Sequence, residues 1–251
     1  MEKDSVLRVE NLSVSFDNQA VLHGVSFAVQ KKTITAILGP NGAGKTVLFR
    51  ALLGIVKHQG TIEWQKGVRV GYVPQKFAID PSFPLTVGEF FALKRARGEK
   101  ITDALRAVGM HGDEHHVQHH ILERRIGELS GGEFQKVSIA WALIDSPDVL
   151  LFDEPTSGVD VGSEETIYSL IGHIRDERGL TILVISHELN IVYQYADQVV
   201  CLNKRMICQG QPKHVLDAGV LKEMYGVQIG VYEHKEEADS AHSHGNGNDV
   251  E

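Results

Sequence analysis

The chain has 251 residues, 42% of them hydrophobic, so it is long enough to bury a sizeable core in one α/β unit with a subdomain. Its formal net charge of −8 argues against nucleic acid as a main partner. No stretch approaches the roughly 18–20 apolar residues that a membrane span requires, and we expect no signal peptide at the start of the chain.

The first forty residues indicate strands. Residues 6–38 alternate apolar and polar side chains, with turn signals at 17–18 and 31–32. This pattern predicts a small antiparallel sheet that leads into an apolar strand. The run ITAILGPNGAGKTVLFRALLG then predicts a strand, a glycine-rich turn and a helix that extends to about Leu53 and that Gly54 ends.

The glycine-rich turn is a P-loop, which binds phosphate. Its residues are Gly39, Pro40, Asn41, Gly42, Ala43, Gly44, Lys45 and Thr46. Backbone N–H groups must curl inward around phosphate oxygens, and a Cβ would block that approach. Lys45 supplies a positive charge for the β- and γ-phosphates of ATP, and the Thr46 hydroxyl is placed to ligate Mg²⁺. The N-terminus of the following helix faces the anion.

The run VLLFDE, residues 149–154, predicts a second part of the same site. Four apolar residues in sequence are typical of a buried parallel strand, and ligands bind at the carboxyl end of such strands. Asp153 would therefore hold Mg²⁺, directly or through water. Glu154, the next residue, would polarise the attacking water.

Between these motifs the residue pattern changes from strand-like to helical. Residues 70–74 indicate a strand, whereas residues 76–128 show short charged helical patterns with few β-branched runs. Ser130 is a plausible N-cap, and Glu133 completes a capping box for a helix that extends to about Ile144. Strands and helices then alternate. The predicted strands are 149–153, 181–185, 198–202 and 205–209, and the predicted helices are 164–178 and 189–196.

Taken together, the motifs resemble the ATP-binding subunit of ABC transporters over roughly residues 6–228. The run LSGGE resembles the ABC signature and contains Ser130, Gly131, Gly132 and Glu133. Four single residues resemble other family motifs in the expected order. They are Phe16 (the aromatic that stacks on adenine), Gln75 (Q-loop), Asp160 (D-loop, in SGVD) and His187 (switch histidine).

The resemblance implies a fold and a domain organisation. The fold is a P-loop NTPase core of the α/β class, with a mixed, mostly parallel sheet, an antiparallel β subdomain and an inserted α-helical subdomain at about 76–145. We expect residues 1–231 to form a single ABC ATPase domain. Residues 232–251 are poor in apolar side chains, and we expect them to form a disordered tail rich in histidine and acid.

The resemblance also implies a mechanism. The signature faces the P-loop of a second subunit, so two ATP molecules close a homodimer and hydrolysis opens it. Glu154 acts as the base, His187 contacts the γ-phosphate, and Asp160 couples the two sites across the interface. Gln75 joins Thr46 and Asp153 around Mg²⁺ and links this region to the helical subdomain.

Three segments bear on the substrate. Residues 80–91, 185–190 and 199–216 resemble zinc- and manganese-type importer ATPases. This implies ATP-driven uptake of a divalent metal through separate integral membrane permease subunits, served indirectly by an extracytoplasmic metal-binding protein. The chain would then be a peripheral subunit at the cytoplasmic face of the cell membrane. Transport of siderophores or other small molecules, export, and a soluble ABC ATPase without a transport role remain alternatives.

Histidines form two groups whose role stays open. One lies in the helical subdomain and the other in the acidic tail, namely His111, His115, His116, His119 and His120, and His234, His242 and His244. Imidazole suits Zn²⁺, so these residues could form a low-affinity metal sensor, but a solvated polar surface is the simpler interpretation.

Three further features carry expectations. Cys201 and Cys208 are seven residues apart, which fits neither a zinc pair nor a disulfide framework, so we expect reduced cysteines. Phe134 and Trp141 depart from the family pattern, which usually has a polar residue and an arginine there. Tryptophan cannot make the ionic contacts of arginine, so local packing and subunit contacts should differ.

Overall fold

The structure is a computed structural model that describes residues 4–17, 19–75, 77, 83–110, 117–156 and 164–226, without the side chains of residues 118, 119 and 164. Within these ranges two sheets form the framework. The smaller sheet is antiparallel, with strand order β2-β1-β4. Its strands are β1 (Ser5–Phe16), β2 (Gln19–Gln30) and β4 (Gln59–Trp64).

The larger sheet has the order β5-β6-β7-β3-β8-β9 and is parallel except for the antiparallel pair β8–β9. Its strands are β3 (Ile34–Leu38), β5 (Val70–Val73), β6 (Val149–Asp153), β7 (Thr181–Ser186), β8 (Gln198–Asn203) and β9 (Arg205–Gly210). Every residue of β3, β6 and β7 is buried, as expected for parallel strands that are covered on both faces.

Helices complete the described part of the chain. They are α1 (Lys45–Leu52), α2 (Val87–Ala92), α3 (Glu99–Ala107), α4 (Gly131–Leu143), α5 (Glu164–Arg178), α6 (Leu189–Tyr195), α7 (Pro212–Val215) and α8 (Ala218–Tyr225). A π-helical turn, Val117–Leu122, and a 3₁₀ turn, Ile126–Glu128, precede α4. Among all the described residues, no helix has the length and apolar character that crossing a membrane requires.

The core lies on both faces of the larger sheet. Along β6, Val149 and Leu151 pack with the antiparallel sheet and α1, whereas Leu150 and Phe152 pack with the helices. Successive side chains of a strand point to opposite faces, so one apolar run serves two hydrophobic clusters. Because the strands are packed on both faces, this burial fixes the positions of their ends relative to one another.

The sequence predicted most of these elements. The predicted strands and helices from residue 149 to 210 agree with the structure to within one residue, and the strand at 70–74 ends one residue early, at Val73. The mixed, mostly parallel sheet and the antiparallel sheet are both present. Strand β4 and helices α7 and α8 were not predicted. Strand β4 follows a helix and pairs with β1, which lies some fifty residues earlier in the chain, so no local pattern indicates the pairing.

The expectation of reduced cysteines is wrong, because Cys201 and Cys208 form a disulfide. The two residues lie opposite each other in the antiparallel pair β8–β9, with their Cα atoms 4.8 Å apart. This separation is within the usual range for bridged cysteines. Sequence spacing does not reveal the pairing, because the register of a hairpin depends on its turn and on the irregularity that follows Cys201.

Some predictions concern residues outside the described ranges. They are the D-loop residue Asp160, the tail at 232–251, the histidines of that tail, and His111, His115 and His116. The side chain of His119 is also outside them, and that of His120 is exposed. Within the residues described, no group of three or more His, Cys, Asp or Glu side chains is arranged to hold a metal ion.

Candidate functional site

The carboxyl ends of four parallel strands meet at one edge of the larger sheet. In the registers of the sheet, Val73 of β5 pairs with Phe152, Asp153 of β6 pairs with Ile185, and Leu38 of β3 pairs with Ser186. The residues that leave these strands are therefore neighbours. They are the P-loop after β3, Gln75 after β5, Glu154 after β6 and His187 after β7.

Two glycines of the P-loop are required by close contacts with other strands. A Cβ on Gly39 would collide with the backbone carbonyl oxygen of Leu202 in β8. Gly44 has φ +94°, and a Cβ there would come within 2.6 Å of the Leu22 side chain in β2. These positions explain why the loop curls tightly between β3 and α1 and keeps its N–H groups accessible to an anion.

A buried carboxylate joins the P-loop helix to two strands. Asp153 is only 2% exposed. The Thr46 hydroxyl donates to its Oδ1 at 3.1 Å, and the Tyr72 hydroxyl donates to its Oδ2 at 3.2 Å. A buried charge needs such partners, and oxygen donors from a hydroxyl and a carboxylate are the kind that Mg²⁺ prefers. Thr46 and Asp153 therefore fit the predicted magnesium site.

Lys45, Glu154 and Gln75 form a second group at the same edge. The Lys45 ammonium is 6% exposed and donates to the carbonyl oxygens of Gly39 at 2.7 Å and Pro40 at 3.1 Å. It also lies 3.9 Å from the Glu154 carboxylate. The Gln75 side-chain amide donates to the other oxygen of Glu154 at 2.7 Å. Glu154 itself has φ +49°, an uncommon conformation for a residue with a side chain.

Burial controls the ionisation of this edge. Desolvation lowers the pKa of Lys45, and the charges of Glu154 and Asp153 oppose that change. Desolvation raises the pKa of Asp153, while the hydrogen bonds from Thr46 and Tyr72 oppose it. Burial and the nearby Asp153 charge raise the pKa of Tyr72 to about 12, so this hydroxyl remains a hydrogen-bond donor at neutral pH.

Two other predicted residues lie at the border of this edge. His187 directly follows β7 and its side chain is exposed. The next residue, Glu188, accepts a hydrogen bond from Thr156, which ties the loop after β6 to the loop after β7. Phe16 ends β1 and is 45% exposed.

The signature begins helix α4 and does not share this edge. The Ser130 hydroxyl accepts from the N–H of Glu133, and the Glu133 carboxylate accepts from the N–H of Ser130, so the predicted capping box is confirmed. Arg124 holds the same carboxylate through two hydrogen bonds, at 2.6 and 3.2 Å. Arg124 and the Ser130 N–H hold the pKa of Glu133 at about 2.

Gly132 lies in the first turn of α4 with open space beside it. A Cβ on Gly132 would meet no atom of the described residues within 4 Å. The hydrogen bonds of the signature run to its own helix and to Arg124, not to the P-loop. Glycine in a helix is less stable than alanine, and no close contact with the described residues requires glycine at this position.

Tyr72 and Arg124 are site residues that the sequence analysis missed. Tyr72 lies in the β5 strand that precedes Gln75, and only the parallel register of β5 and β6 brings it to Asp153. Arg124 lies nine residues before Glu133, a spacing that no local motif explains. A basic residue shortly before a capping-box glutamate was the only available signal.

A second cleft, of about 570 Å³, lies between α3, the end of α4 and α5, away from the strand edge. Polar side chains on its walls contact each other, Arg106 with Asp103 and His173 with Glu177. None of the predicted site residues lines this cleft. The strand edge is therefore the candidate site.

Comparison with known proteins agrees with this geometry. A family model described as ABC transporter matches residues 22–157. The zinc import ATP-binding protein ZnuC of Pseudomonas aeruginosa (strain UCBPP-PA14) is 39% identical over 236 residues, which cover 92% of this chain and 85% of that protein. ZnuC of Photorhabdus laumondii is also 39% identical over 236 residues, which cover 92% and 89% of the two chains. The structure of cbiO1 from Clostridium perfringens, part of the ABC transporter complex cbiONQ, superposes with a TM-score of 0.72 at 29% identity and covers 88% of this chain and 94% of that one.

We expect Glu133→Gln to reduce stability in a pH-dependent way. Because the folded pKa of about 2 lies below the usual glutamate value of about 4.3, the carboxylate stabilises the fold above pH ~4.3 and loses this effect as the pH falls toward 2. The pair is more than one-third exposed, so we expect a difference of about 1 kcal/mol at most. Denaturant unfolding of wild type and variant at pH 7, 5, 4 and 3 measures the difference.

The control is the same substitution in an Arg124→Gln background, where most of the pH dependence should be absent. A difference between wild type and Glu133→Gln that stays constant from pH 7 to pH 3 would contradict the role of the ionised pair.

Proposed function

The chain belongs to the ABC transporter family, and we propose that it hydrolyses ATP to power zinc uptake through a separate membrane permease. The observation that carries the ATPase part is the pair of contacts at the strand edge, Thr46 with Asp153 and Gln75 with Glu154. The metal-uptake part rests on relatives named as zinc import proteins that align with 92% of the chain.

The P-loop would bind the phosphates of ATP. The Lys45 side chain folds along the loop, and two loop carbonyl oxygens hold its ammonium group in place. The N-terminus of α1 and the N–H groups of the loop add donors on the same side. Adenine would stack on the ring of Phe16, a residue that is 45% exposed.

Thr46 and Asp153 would hold Mg²⁺, with the Gln75 side chain as a third ligand. When bound, Mg²⁺ supplies positive charge that offsets the charge of the phosphate oxygens. Tyr72 donates to Oδ2 of Asp153 and thereby fixes the rotation of the carboxylate, leaving Oδ1 toward Thr46. The chain thus presents its oxygen donors in a set orientation, which limits reorganisation when the metal binds.

Glu154 is the group that we propose as general base. Its carboxylate lies at the end of β6, one residue beyond the proposed magnesium ligand, and is held by Gln75 at 2.7 Å. A base must lie within hydrogen-bond reach of the water that it activates, and Gln75 restricts where that carboxylate can point. His187, at the end of the adjacent strand β7, would contact the γ-phosphate. Asp160, outside the described residues, would couple the two sites.

The ATPase acts as a dimer on membrane permease subunits, as family membership implies, and we propose that the dimer is a homodimer. Ser130, Gly131, Gly132 and Glu133 would then bind the ATP held by the P-loop of the other copy. The open space beside Gly132 supports this, because an N-terminal helix turn without a Cβ lets a phosphate approach the backbone.

The partners and location follow from the same proposal. An extracytoplasmic metal-binding protein would deliver the ion to the permease, and this chain would dock on the permease from the cytoplasmic face of the membrane. Zinc is proposed rather than manganese because the relatives are named for zinc import. The permease, rather than this chain, would carry the transported ion across the membrane.

We expect Gly132→Ala to separate stability from activity. Alanine at this helix position should stabilise the isolated chain by about 0.5–1 kcal/mol, since it restricts the unfolded chain and meets no neighbour. The added Cβ should at the same time lower the ATPase rate at least about tenfold, because it blocks the phosphate of the partner's ATP. Thermal unfolding and steady-state ATP hydrolysis measure the two effects.

Gly172→Ala is the matched control. Gly172 lies in the middle of α5, and a Cβ there also meets no atom within 4 Å. This variant should gain similar stability and keep the wild-type ATPase rate. An active Gly132→Ala variant would exclude the proposed contact between the signature and the partner's nucleotide.

Cellular metal content tests the substrate. A strain that lacks the chain should contain less zinc in zinc-poor medium, and wild type should restore it, whereas Glu154→Gln should not because its site lacks the proposed base. Elemental analysis of zinc and manganese in the same samples distinguishes the two ions. Glu177→Gln, an exposed carboxylate of α5, is the control and should restore zinc like wild type.

Unchanged zinc with lowered manganese would replace the ion but keep metal uptake. Unchanged levels of both metals would contradict metal uptake and leave the ATPase assignment to be judged from the Gly132 variant.

A further inference from the structure

Four aromatic rings meet where the segment after β5 contacts helices α2 and α4. Phe77 lies two residues after Gln75, Phe90 belongs to α2, and Phe134 and Trp141 belong to α4. We call these four residues the aromatic junction. It includes both positions at which the sequence departs from the usual family pattern, Phe134 and Trp141.

Trp141 fastens α2 to α4. Its ring stacks on that of Phe90, with centroids 5.2 Å apart and an interplanar angle of 24°, and its indole N–H donates to the Phe90 carbonyl oxygen at 3.1 Å. The Lys94 ammonium lies 4.0 Å from the centre of the Trp141 ring and pairs with Asp145 at 2.6 Å. Stacking, hydrogen bonding and a cation–π contact at one residue join the two helices into one body.

Phe77 contacts this body with its ring approximately perpendicular to the other three. Its centroid is 5.4 Å from that of Phe90, 5.7 Å from Phe134 and 6.0 Å from Trp141, with interplanar angles of 85°, 78° and 87°. Edge-to-face contacts of this kind fix the position of a ring in several directions at once. The segment that carries Gln75 is therefore attached to both α2 and α4.

The attachment reaches the signature. The N–H of Phe134 donates to the carbonyl oxygen of Ser130, so Phe134 lies in the first turn of α4. Gln75, two residues before Phe77, donates to Glu154, which follows β6 at the strand edge. Gln75 thus contacts Glu154, and Phe77, two residues further along the chain, contacts Phe134.

We propose that Phe77 is a positioning residue that links the nucleotide state of one P-loop site to the orientation of the signature on the same chain. This inference rests on the proposed function, in which that signature serves the ATP of the second copy. Movement of Gln75 shifts Phe77 against the first turn of α4, and α2 and α4 follow together because Trp141 holds them. The aromatic junction therefore connects the two ATP sites of the dimer.

Phe77 is not needed to hold the helices together. Trp141 contacts Phe90 and Lys94 directly, and these contacts persist if Phe77 becomes leucine. Leucine keeps apolar contact at this partly buried position and loses the edge-to-face geometry. Phe77→Leu should therefore fold, bind ATP and be impaired in coupling.

Trp141 reports on the junction directly. The chain contains two tryptophans, Trp64 and Trp141, so Trp64→Phe leaves Trp141 as the single fluorophore. In this background Mg-ATP should change the Trp141 emission relative to Mg-ADP. Phe77→Leu should remove most of that difference while nucleotide affinity, measured with a fluorescent ATP analogue, stays within about twofold. Cooperativity between the two ATP sites should fall about 3- to 30-fold, the range that single substitutions produce in coupled systems.

Three further variants make the test specific. Phe77→Tyr keeps the ring and should keep the wild-type response. Phe134→Leu removes the partner ring in α4 and should reproduce the loss, which keeps the test decisive if Phe77→Leu fails to fold. Phe83→Leu is the matched control, since Phe83 lies in the same segment before α2 and is 58% exposed outside the junction.

Two results overturn the inference. One is a Phe77→Leu or Phe134→Leu variant that keeps both the Trp141 response and the cooperativity. The other is a Trp64→Phe chain, otherwise wild type, that binds ATP while the Trp141 emission does not change. A wild-type chain that binds no ATP contradicts the proposed function instead, so the two failures are distinguishable.

Discussion

The hydrogen bond between Thr46 and Asp153 joins the P-loop helix to the end of strand β6, and the geometry of the site depends on it. A carboxylate that is 2% exposed must be compensated, and the hydroxyls of Thr46 and Tyr72 do so from two different elements. The core on both faces of the sheet fixes the positions of β3, β5 and β6 relative to each other along the strand direction. Burial thereby places three oxygen-bearing residues within hydrogen-bond distance.

The signature has a different physical basis. It lies at the N-terminus of α4, where a capping box and the Arg124–Glu133 pair hold the first turn. None of these contacts involves the strand edge, and the space beside Gly132 is open. The contacts within one chain do not join the signature to the strand edge. In the proposed homodimer, a second copy of the chain would bring each signature to the strand edge of the other copy by symmetry.

The sequence predicted what depends on neighbouring residues. The P-loop, the strand VLLFDE and the capping box of α4 are local patterns, and their elements agree with the structure. Contacts that depend on the register of strand pairing could not be predicted from local sequence patterns. Tyr72 reaches Asp153 through the β5–β6 pairing, and the Cys201–Cys208 disulfide forms across a hairpin whose register has an irregularity. The contacts of Phe77 with Phe134 and Trp141 could not be predicted either, because these residues are some sixty positions apart in the chain.

Sedimentation velocity of the Glu154→Gln chain tests the central claim most directly, namely that two copies close around ATP and that Glu154 opens them by hydrolysis. The account predicts a dimer with Mg-ATP, a monomer with Mg-ADP, and no dimer with Mg-ATP once Gly132→Ala is added. The control variant Glu177→Gln, whose strand edge is unchanged, should hydrolyse ATP and show no lasting dimer. A Glu154→Gln chain that stays monomeric when saturated with ATP, or that hydrolyses ATP at the wild-type rate, would contradict the account.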